Sequence, residues 1–231
     1  MYEAVHVAPE GDATAARTAL TAAEYGFDGI VVRNHGDSPP DYDPDAVAEE
    51  YGIDVVPGVE VRADDPSSAS GFVGSHRSEK TLVAVHGGSA AMNRFAVEQP
   101  AVDVLAHPMA GDGDFDAAMA KAAVENGVRV ELSLRAALRC SGGRRVRRLQ
   151  DLRKLRELVD HYDVPYVVSA DPWSHLELRA PRELRAVGEA VGLDGDRIER
   201  GLEEWGTLAE RNRRRQSDDF VEPGVWIDDG E

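Results

Sequence analysis

Residues 28–34, DGIVVRN, lead through a helical pattern at 44–51, PDAVAEEY, into IDVVPGVEV at 53–61. A β-branched run, a helix and a second β-branched run is the unit of a parallel sheet, because parallel strands need a crossover between them. The unit repeats in both directions. Upstream stands EAVHV at 3–7; downstream stand TLVAVHG at 81–87, DVLAHP at 103–108, VRVELSL at 128–134 and YVVSAD at 166–171. Helical patterns at 13–24, 90–98, 115–125 and 143–162 fall between them, bounded by Asp, Pro or Gly. DDPSSAS, at 64–70, reads as a polar loop. The 231 residues show no break in composition, which predicts one α/β domain. At this length, with no Gly-x-Gly-x-x-Gly after the first strand, the pattern favours a distorted TIM-like barrel over a doubly wound open sheet. The expected barrel has about seven parallel strands with surrounding helices and covers residues 1–215. Residues 216–231, acidic and anchored only by Phe220, Val221, Val225 and Trp226, are expected to form a tail packed loosely on it.

The chain carries 43 acidic against 26 basic residues, a net charge of −17, and only three of the basic residues are lysines: Lys80, Lys121 and Lys154. Acid excess with loss of lysine is the composition of a protein adapted to brine. The single cysteine, Cys140, has no partner for an internal disulfide, which fits a reducing compartment, and it reads as an inert thiol. MYEAVHVAPEGD at the start has neither a basic region nor an apolar core, and no apolar run approaches the ~18 residues of a membrane span. A cytoplasmic protein is expected.

Against this acidic background one stretch reverses sign. ELSLRAALRCSGGRRVRRLQDLRKLR, residues 131–156, holds nine basic and two acidic residues, +7 against −24 for the rest. From Gly143 the spacing predicts a helix burying Val146, Leu149, Leu152, Leu155, Val159 and Tyr162. Arg144, Arg145, Arg147, Arg148, Arg153 and Arg156 then lie beside or opposite that stripe, and the first acid within the helix is Asp151. Unpaired guanidinium groups at a helix start point to phosphate, the charge that the rest of the surface repels. In brine the screening length falls to ~3 Å, so only close, directional contacts survive, and the planar fork of arginine makes these better than lysine.

In parallel α/β folds the chemistry gathers where strands end. Here that face collects His6, Arg33, Asn34, His35, Glu60, His86, His107, Arg135 and Asp171. PGVEV, LAHP and SAD resemble the metal-binding patterns of the polymerase and histidinol phosphatase (PHP) hydrolases. In such enzymes histidines and carboxylates hold metals that activate water for phosphoester cleavage. The match is damaged: the first strand has His6 without a second histidine, and Asp171 is followed by Pro172 and Trp173, with His175 two positions late. No catalytic residue and no functional metal are expected, and His6, Glu60, His107 and Asp171 read as relics of a metal site whose polar groups bond to one another. His76 and His161 are expected in solvent.

Over most of its length, and most densely from Thr81 to Leu193, the chain resembles the archaeal and eukaryotic ribonuclease P thirty-kilodalton subunit family. The resemblance is carried by VHGGSAAMNRFAVEQPAVDVLAHP, GVRVELSLRAALR, the basic helix and VPYVVSADPWSHLELRAPRELRAVGEAVGL, in that order. It implies a distorted, metal-poor PHP-like barrel that binds the catalytic RNA of ribonuclease P and supports removal of the 5′ leader from precursor tRNA. It further implies a second small protein subunit as partner, within a heterotetramer, and no intrinsic cofactor, Mg2+ being used by the RNA. Carried onto this sequence, the RNA-facing candidates are Asn93, Arg94, Arg135, Arg139, Arg144, Arg145, Arg147, Arg148, Arg179 and Arg182. The competing readings are a PHP-type phosphoesterase acting alone and a metabolic barrel enzyme holding a small phosphate ligand on the same arginines.

Overall fold

In a computed structural model, which describes residues 1–217, 220–222 and 225–226, seven parallel strands follow one another around the sheet in sequence order. They are β1 (Tyr2–Val5), β2 (Gly29–Val32), β3 (Asp54–Val61), β4 (Leu82–His86), β5 (Val104–Ala106), β6 (Arg129–Ser133) and β7 (Tyr166–Ser169). The register runs without interruption, from Val5 opposite Val32 to Ser133 opposite Ser169. The sheet curls until β7 stands beside β1, where the Ala170 amide donates to the Glu3 carboxyl at 3.0 Å and the His6 amide to the Pro172 carbonyl at 3.1 Å.

Around the sheet lie α1 (Ala15–Glu24), α2 (Pro44–Tyr51), α3 (Pro66–Arg77), α4 (Ala90–Val97), α5 (Ala117–Asn126), α6 (Arg135–Arg139), α7 (Gly142–Tyr162), α8 (Pro181–Ala190) and α9 (Gly195–Gln216). Their starts are written in the sequence. Asp43, Asp65 and Asp116 accept from the free amides of the first turns of α2, α3 and α5, and Pro44 and Pro66 occupy positions where no amide hydrogen is needed. Residues 64–70 are therefore not a loop. Asp65-Pro66 is a helix start, hidden in the sequence because α3 buries only Ala69 and Val73 and so lacks an apolar stripe.

The strands are buried on both faces, which makes their sequences nearly continuous apolar runs. Val5, Ile30, Val32, Val55, Val83 and Leu132 face the helices. The opposite set, Ala4, Val31, Val56, Leu82, Val104 and Val167, packs inside with Trp205 and Leu208 of α9. That helix crosses the gap between the first and last strands. A Cβ at Gly201 would stand 2.4 Å from the Val168 side chain, and one at Gly206 would stand 2.5 Å from the Tyr2 ring, so glycine is what allows the approach. At the far end of α9 the buried Asp103 carboxylate takes Arg211 (2.6 Å), Asn212 (2.8 Å), Arg77 (2.6 Å) and the Val83 amide (2.9 Å).

Two expectations change. The α7 stripe is buried only at Leu152, Leu155 and Val159, while Val146 is 56% exposed, because the described residues that reach the first turns of α7 bond to Arg145 and Arg148 and leave Val146 uncovered. The barrel helix α9 runs through Gln216, past the expected boundary at 215. Beyond it the backbone at Phe220–Glu222 pairs antiparallel with Val225–Trp226; how the remainder of the 216–231 tail packs lies outside the described residues.

Candidate nucleic-acid interface

The inward period-two positions that carry no polar side chain low in the barrel become polar or ionisable at its mouth. Val31 is followed by Arg33, Ala4 by His6, Ala84 by His86, and Gly58 by Glu60. At the centre lies Arg33, 1% exposed. Its Nη2 is 2.6 Å from Glu131 Oε1 and 3.3 Å from Asp171 Oδ1, its Nη1 is 3.1 Å from Glu60 Oε2, and its guanidinium carbon stands 5.7 Å from the Trp205 ring. Burial alone would lower its pKa, but the charges of Glu131, Glu60 and Asp171 outweigh burial and raise it.

Four histidines surround this centre. His6 Nδ1 lies 2.9 Å from Glu10 Oε2, and its ring stacks on Trp173 at 4.7 Å. The Glu10 carboxylate also accepts from the His35 amide at 2.9 Å and pairs with the His35 ring. His86 Nδ1 is 2.5 Å from Glu60 Oε1, and His107 Nε2 is 3.7 Å from Asp171 Oδ2. Burial would raise the Glu60 carboxyl, yet the Arg33 charge, then His107 and the hydrogen bonds of His35 and His86, hold it well below the usual range. Asp171 is likewise lowered: burial opposes, while the His6 hydrogen bond and Arg33 prevail. His35 is raised, because its bonds to Glu60 and Glu10 outweigh burial. His107 and Asp171 both adopt left-handed backbone, φ 51 and 49, which turns their side chains back over the mouth.

The cation among Glu60, Glu131 and Asp171 is the guanidinium of Arg33, and the two three-residue clusters with metal-type donors, His6–Glu10–His35 and His35–Glu60–His86, have those donors bonded to one another. Sequence reasoning placed His6, Glu60, His107 and Asp171 together and put Arg33 on the same face. It missed Glu10 and Glu131. Glu131 had a signal, a charged residue inside an apolar strand; Glu10 lies in a loop and had none.

The arginines lie on the adjoining rim. Arg135 donates to the Asp171 carbonyl, pairs with Glu177 at 3.2 Å and stands over the Trp173 ring at 5.7 Å. Arg139 donates to the Glu177 carbonyl at 2.8 Å. Arg148 donates to the Met109 carbonyl at 2.7 Å, and Arg145 to the Cys140 carbonyl at 2.5 Å. Arg144 and Arg147 are exposed and have no ion pair or hydrogen bond among the described residues. Arg94 and Arg182 are exposed on other helices, and Arg179 is turned onto the Leu176 and Leu178 carbonyls of its own loop at 3.1 and 2.6 Å.

Asn93, expected to face the RNA, is not at the surface. It is 0% exposed, its amide group donates to the Pro108 and Asp114 carbonyls at 2.7 and 2.8 Å, and its oxygen accepts from the Gly88 amide. It ties the loop after β5 to the loop after β4. His161 is exposed as expected, whereas His76 is half-buried.

The geometry can be set beside known proteins. A chain of the cryo-EM structure of archaeal ribonuclease P with mature tRNA superposes with a TM-score of 0.83 over 100% of both chains, at 24% identity. Histidinol phosphate phosphatase from Lactococcus lactis, solved with zinc, L-histidinol and phosphate, shares the fold at a TM-score of 0.52 and 11% identity, over 83% of this chain and 94% of that one. Ribonuclease P protein component 3 of Haloarcula marismortui is 61% identical over 229 residues, 99% of this chain and 97% of that protein. The protein of the same name from Methanosarcina acetivorans is 37% identical over 230 residues, 98% of this chain and 95% of that protein. The family model of RNase P subunit p30 matches residues 1–217. The chain belongs to the RNase P subunit p30 family.

Proposed function

We propose that this chain, a protein subunit of ribonuclease P, binds the RNA of that enzyme through the arginine face formed by α6 and the first turns of α7. Removal of the 5′ leader from precursor tRNA is then chemistry done by the RNA with its own Mg2+, while the protein orders the RNA and neutralises phosphate. The observation that carries this reading is the pair Arg144 and Arg147, exposed and without an internal partner among the described residues, on a chain of net charge −17. A surface so acidic elsewhere directs a polyanion to this one face. Arg94 and Arg182, both exposed, are proposed as separate contacts, Arg182 lying beside Met1 and Tyr25 rather than on that face; Arg135, Arg139, Arg145, Arg148 and Arg179 contribute the charge left after their internal bonds. A second small ribonuclease P protein, in a heterotetramer with this one, is the proposed protein partner, and the assembly is proposed to work in the cytoplasm.

The test is reconstitution of precursor tRNA cleavage at high salt with the cognate RNA and the partner protein. Changing Arg144, Arg145, Arg147 and Arg148 together to Ala is expected to weaken RNA affinity and flatten its salt dependence. Unchanged affinity and cleavage would remove this face from the RNA contact. The phosphoesterase reading is disfavoured by the position of Arg33. Stoichiometric metal in the purified chain, with phosphoester turnover lost in Asp171→Ala, would restore it.

A further inference from the structure

Between the barrel mouth and the arginine turns lies a cleft of about 410 Å³. Its apolar lining, which serves as the floor, is Met109 from the loop after β5 with the buried Leu152 and Leu155 of α7, and Glu131 and Asp151 present carboxylates beside it. Ala136 of α6 and Ala110 stand in its walls, and Arg144 and Arg148 stand at its rim.

We infer that this cleft receives one unpaired nucleotide of the RNA, its base on the apolar floor and a flanking phosphate on Arg144 and Arg148. The inference rests on the RNA-face reading above and deepens it. A contact to phosphate alone needs only an exposed cationic surface, and the turn holding Arg144 to Arg147 already supplies that. The cleft adds what such a surface lacks, a concave apolar floor of the size that encloses a small planar ligand. A base with its phosphate is flat and apolar at one end and anionic at the other, which matches the floor and the rim in turn. A duplex cannot enter a space this small, whereas a base splayed from a loop or bulge can, and proteins read RNA sequence mainly at such bases. The Arg148 side chain is held at the rim by the Met109 carbonyl and by Asp151 at 3.5 Å, so the rim is pre-oriented rather than loose.

Salt supplies a second reason. At high ionic strength attraction between separated charges is screened, while burial of apolar surface is not weakened and is strengthened by excluded salts. An RNA subunit adapted to brine therefore gains from a contact that combines a close ion pair with a buried base. An acidic protein segment would satisfy the rim equally well but has no use for a flat floor at the bottom of the cleft.

The experiment fills the cleft without touching an arginine. Ala136→Phe and, from the opposite wall, Ala110→Phe are assayed as full-length chains with the partner protein and the cognate ribonuclease P RNA, beside an Arg144→Ala/Arg147→Ala double variant. Both filling variants are expected to lower RNA affinity about tenfold, the size of the apolar burial lost when one base is kept out, with an unchanged salt slope. Chemical probing of base edges should show an unpaired base protected in the wild-type complex and released in a filled one. The double arginine variant should lower affinity with a shallower slope. If it does so while both filling variants bind RNA as wild type does, or while no unpaired base is protected in the wild-type complex, the cleft inference fails and the RNA face stands. If the arginine variant also binds normally, the RNA-face reading fails and takes the cleft with it. Loss of the partner protein instead of RNA on filling would assign the cleft to a protein segment and overturn the inference. Should neither filling variant fold, the wild-type probing alone decides.

Discussion

Arg33 Nη1 stands 3.1 Å from Glu60 Oε2 at the centre of the barrel mouth, with the two residues 1% and 0% exposed. Because Glu131 and Asp171 share the same guanidinium, one cation bridges three adjacent buried carboxylates and offsets part of their mutual repulsion. Replacing Arg33 by Met removes the charge and keeps much of the volume. The expected loss is about 3–5 kcal/mol, the usual cost of leaving a buried charge without its partner. Arg33→Lys should recover part of it, since an ammonium supplies the charge but cannot reach three carboxylates in one plane. Denaturant unfolding of the three proteins measures the order; equal stability of wild type and Arg33→Met would show that the carboxylates do not depend on the guanidinium.

Glu3 behaves differently from the mouth carboxylates. It faces the β1–β7 seam, and burial pushes its carboxyl up to about 8 even though the Ala170 and Ala4 amides donate to it. The folded chain therefore keeps a proton that the unfolded chain releases above the ordinary carboxyl value of 4.5. A raised acid contributes its stability below the unfolded pKa and loses it as pH rises toward the folded one, by about 1.4 kcal/mol per pH unit inside that window. Glu3→Gln should thus remove a downward slope in stability between 4.5 and about 8, and leave the two proteins parallel above it. Unfolding free energies of both proteins across that range give the slope directly; parallel curves inside the window would mean that Glu3 is ionised in the fold.

At the opposite end of the barrel, Asp103 should be the most sensitive polar residue outside the mouth. Its two oxygens hold the start of β4, the end of α3 and the last turns of α9 through Val83, Arg77, Arg211 and Asn212. Asp103→Ala removes the acceptor shared by Arg77, Arg211, Asn212 and the buried Val83 amide, though Arg77 and Arg211 keep other acceptors, for an expected loss of about 1–3 kcal/mol. Hydrogen exchange should show α9 opening ahead of the strands in that variant. Uniform exchange along the chain would mean that α9 is held by its apolar face alone.

The sequence exposes some of this and conceals the rest for definite reasons. The seven strands were readable because burial on both faces forces long β-branched runs, and the polar mouth because histidines and carboxylates end those runs. What period and propensity do not carry is which end of a helix is covered. Val146 has the spacing of a core residue, yet the described residues leave it 56% exposed. Asn93, next to an arginine at a helix start, has the look of a binding residue, and only the closeness of two loops shows that it is a tie between them. Asp103 gave no signal because its partners come from positions 77, 83, 211 and 212.

That contrast within α7 yields a test that separates fold from function on one helix. Leu155 is 2% exposed and packed in the core, so Leu155→Ala should cost about 2–5 kcal/mol through lost burial and the cavity it leaves. Val146, by the stripe spacing, would be expected to behave alike, but at 56% exposure its replacement by Asp should change the thermal midpoint little. The new carboxylate would stand among Arg144, Arg145, Arg147 and Arg148, offering them a partner inside the protein and repelling phosphate. RNA affinity should therefore fall in Val146→Asp while the fold holds, and should fall less in Val146→Asn, which adds polarity without charge. Thermal unfolding and RNA binding measured on the same preparations decide it: a destabilised Val146→Asp would put the first turns of α7 inside the core, and unaltered RNA binding would place the RNA elsewhere.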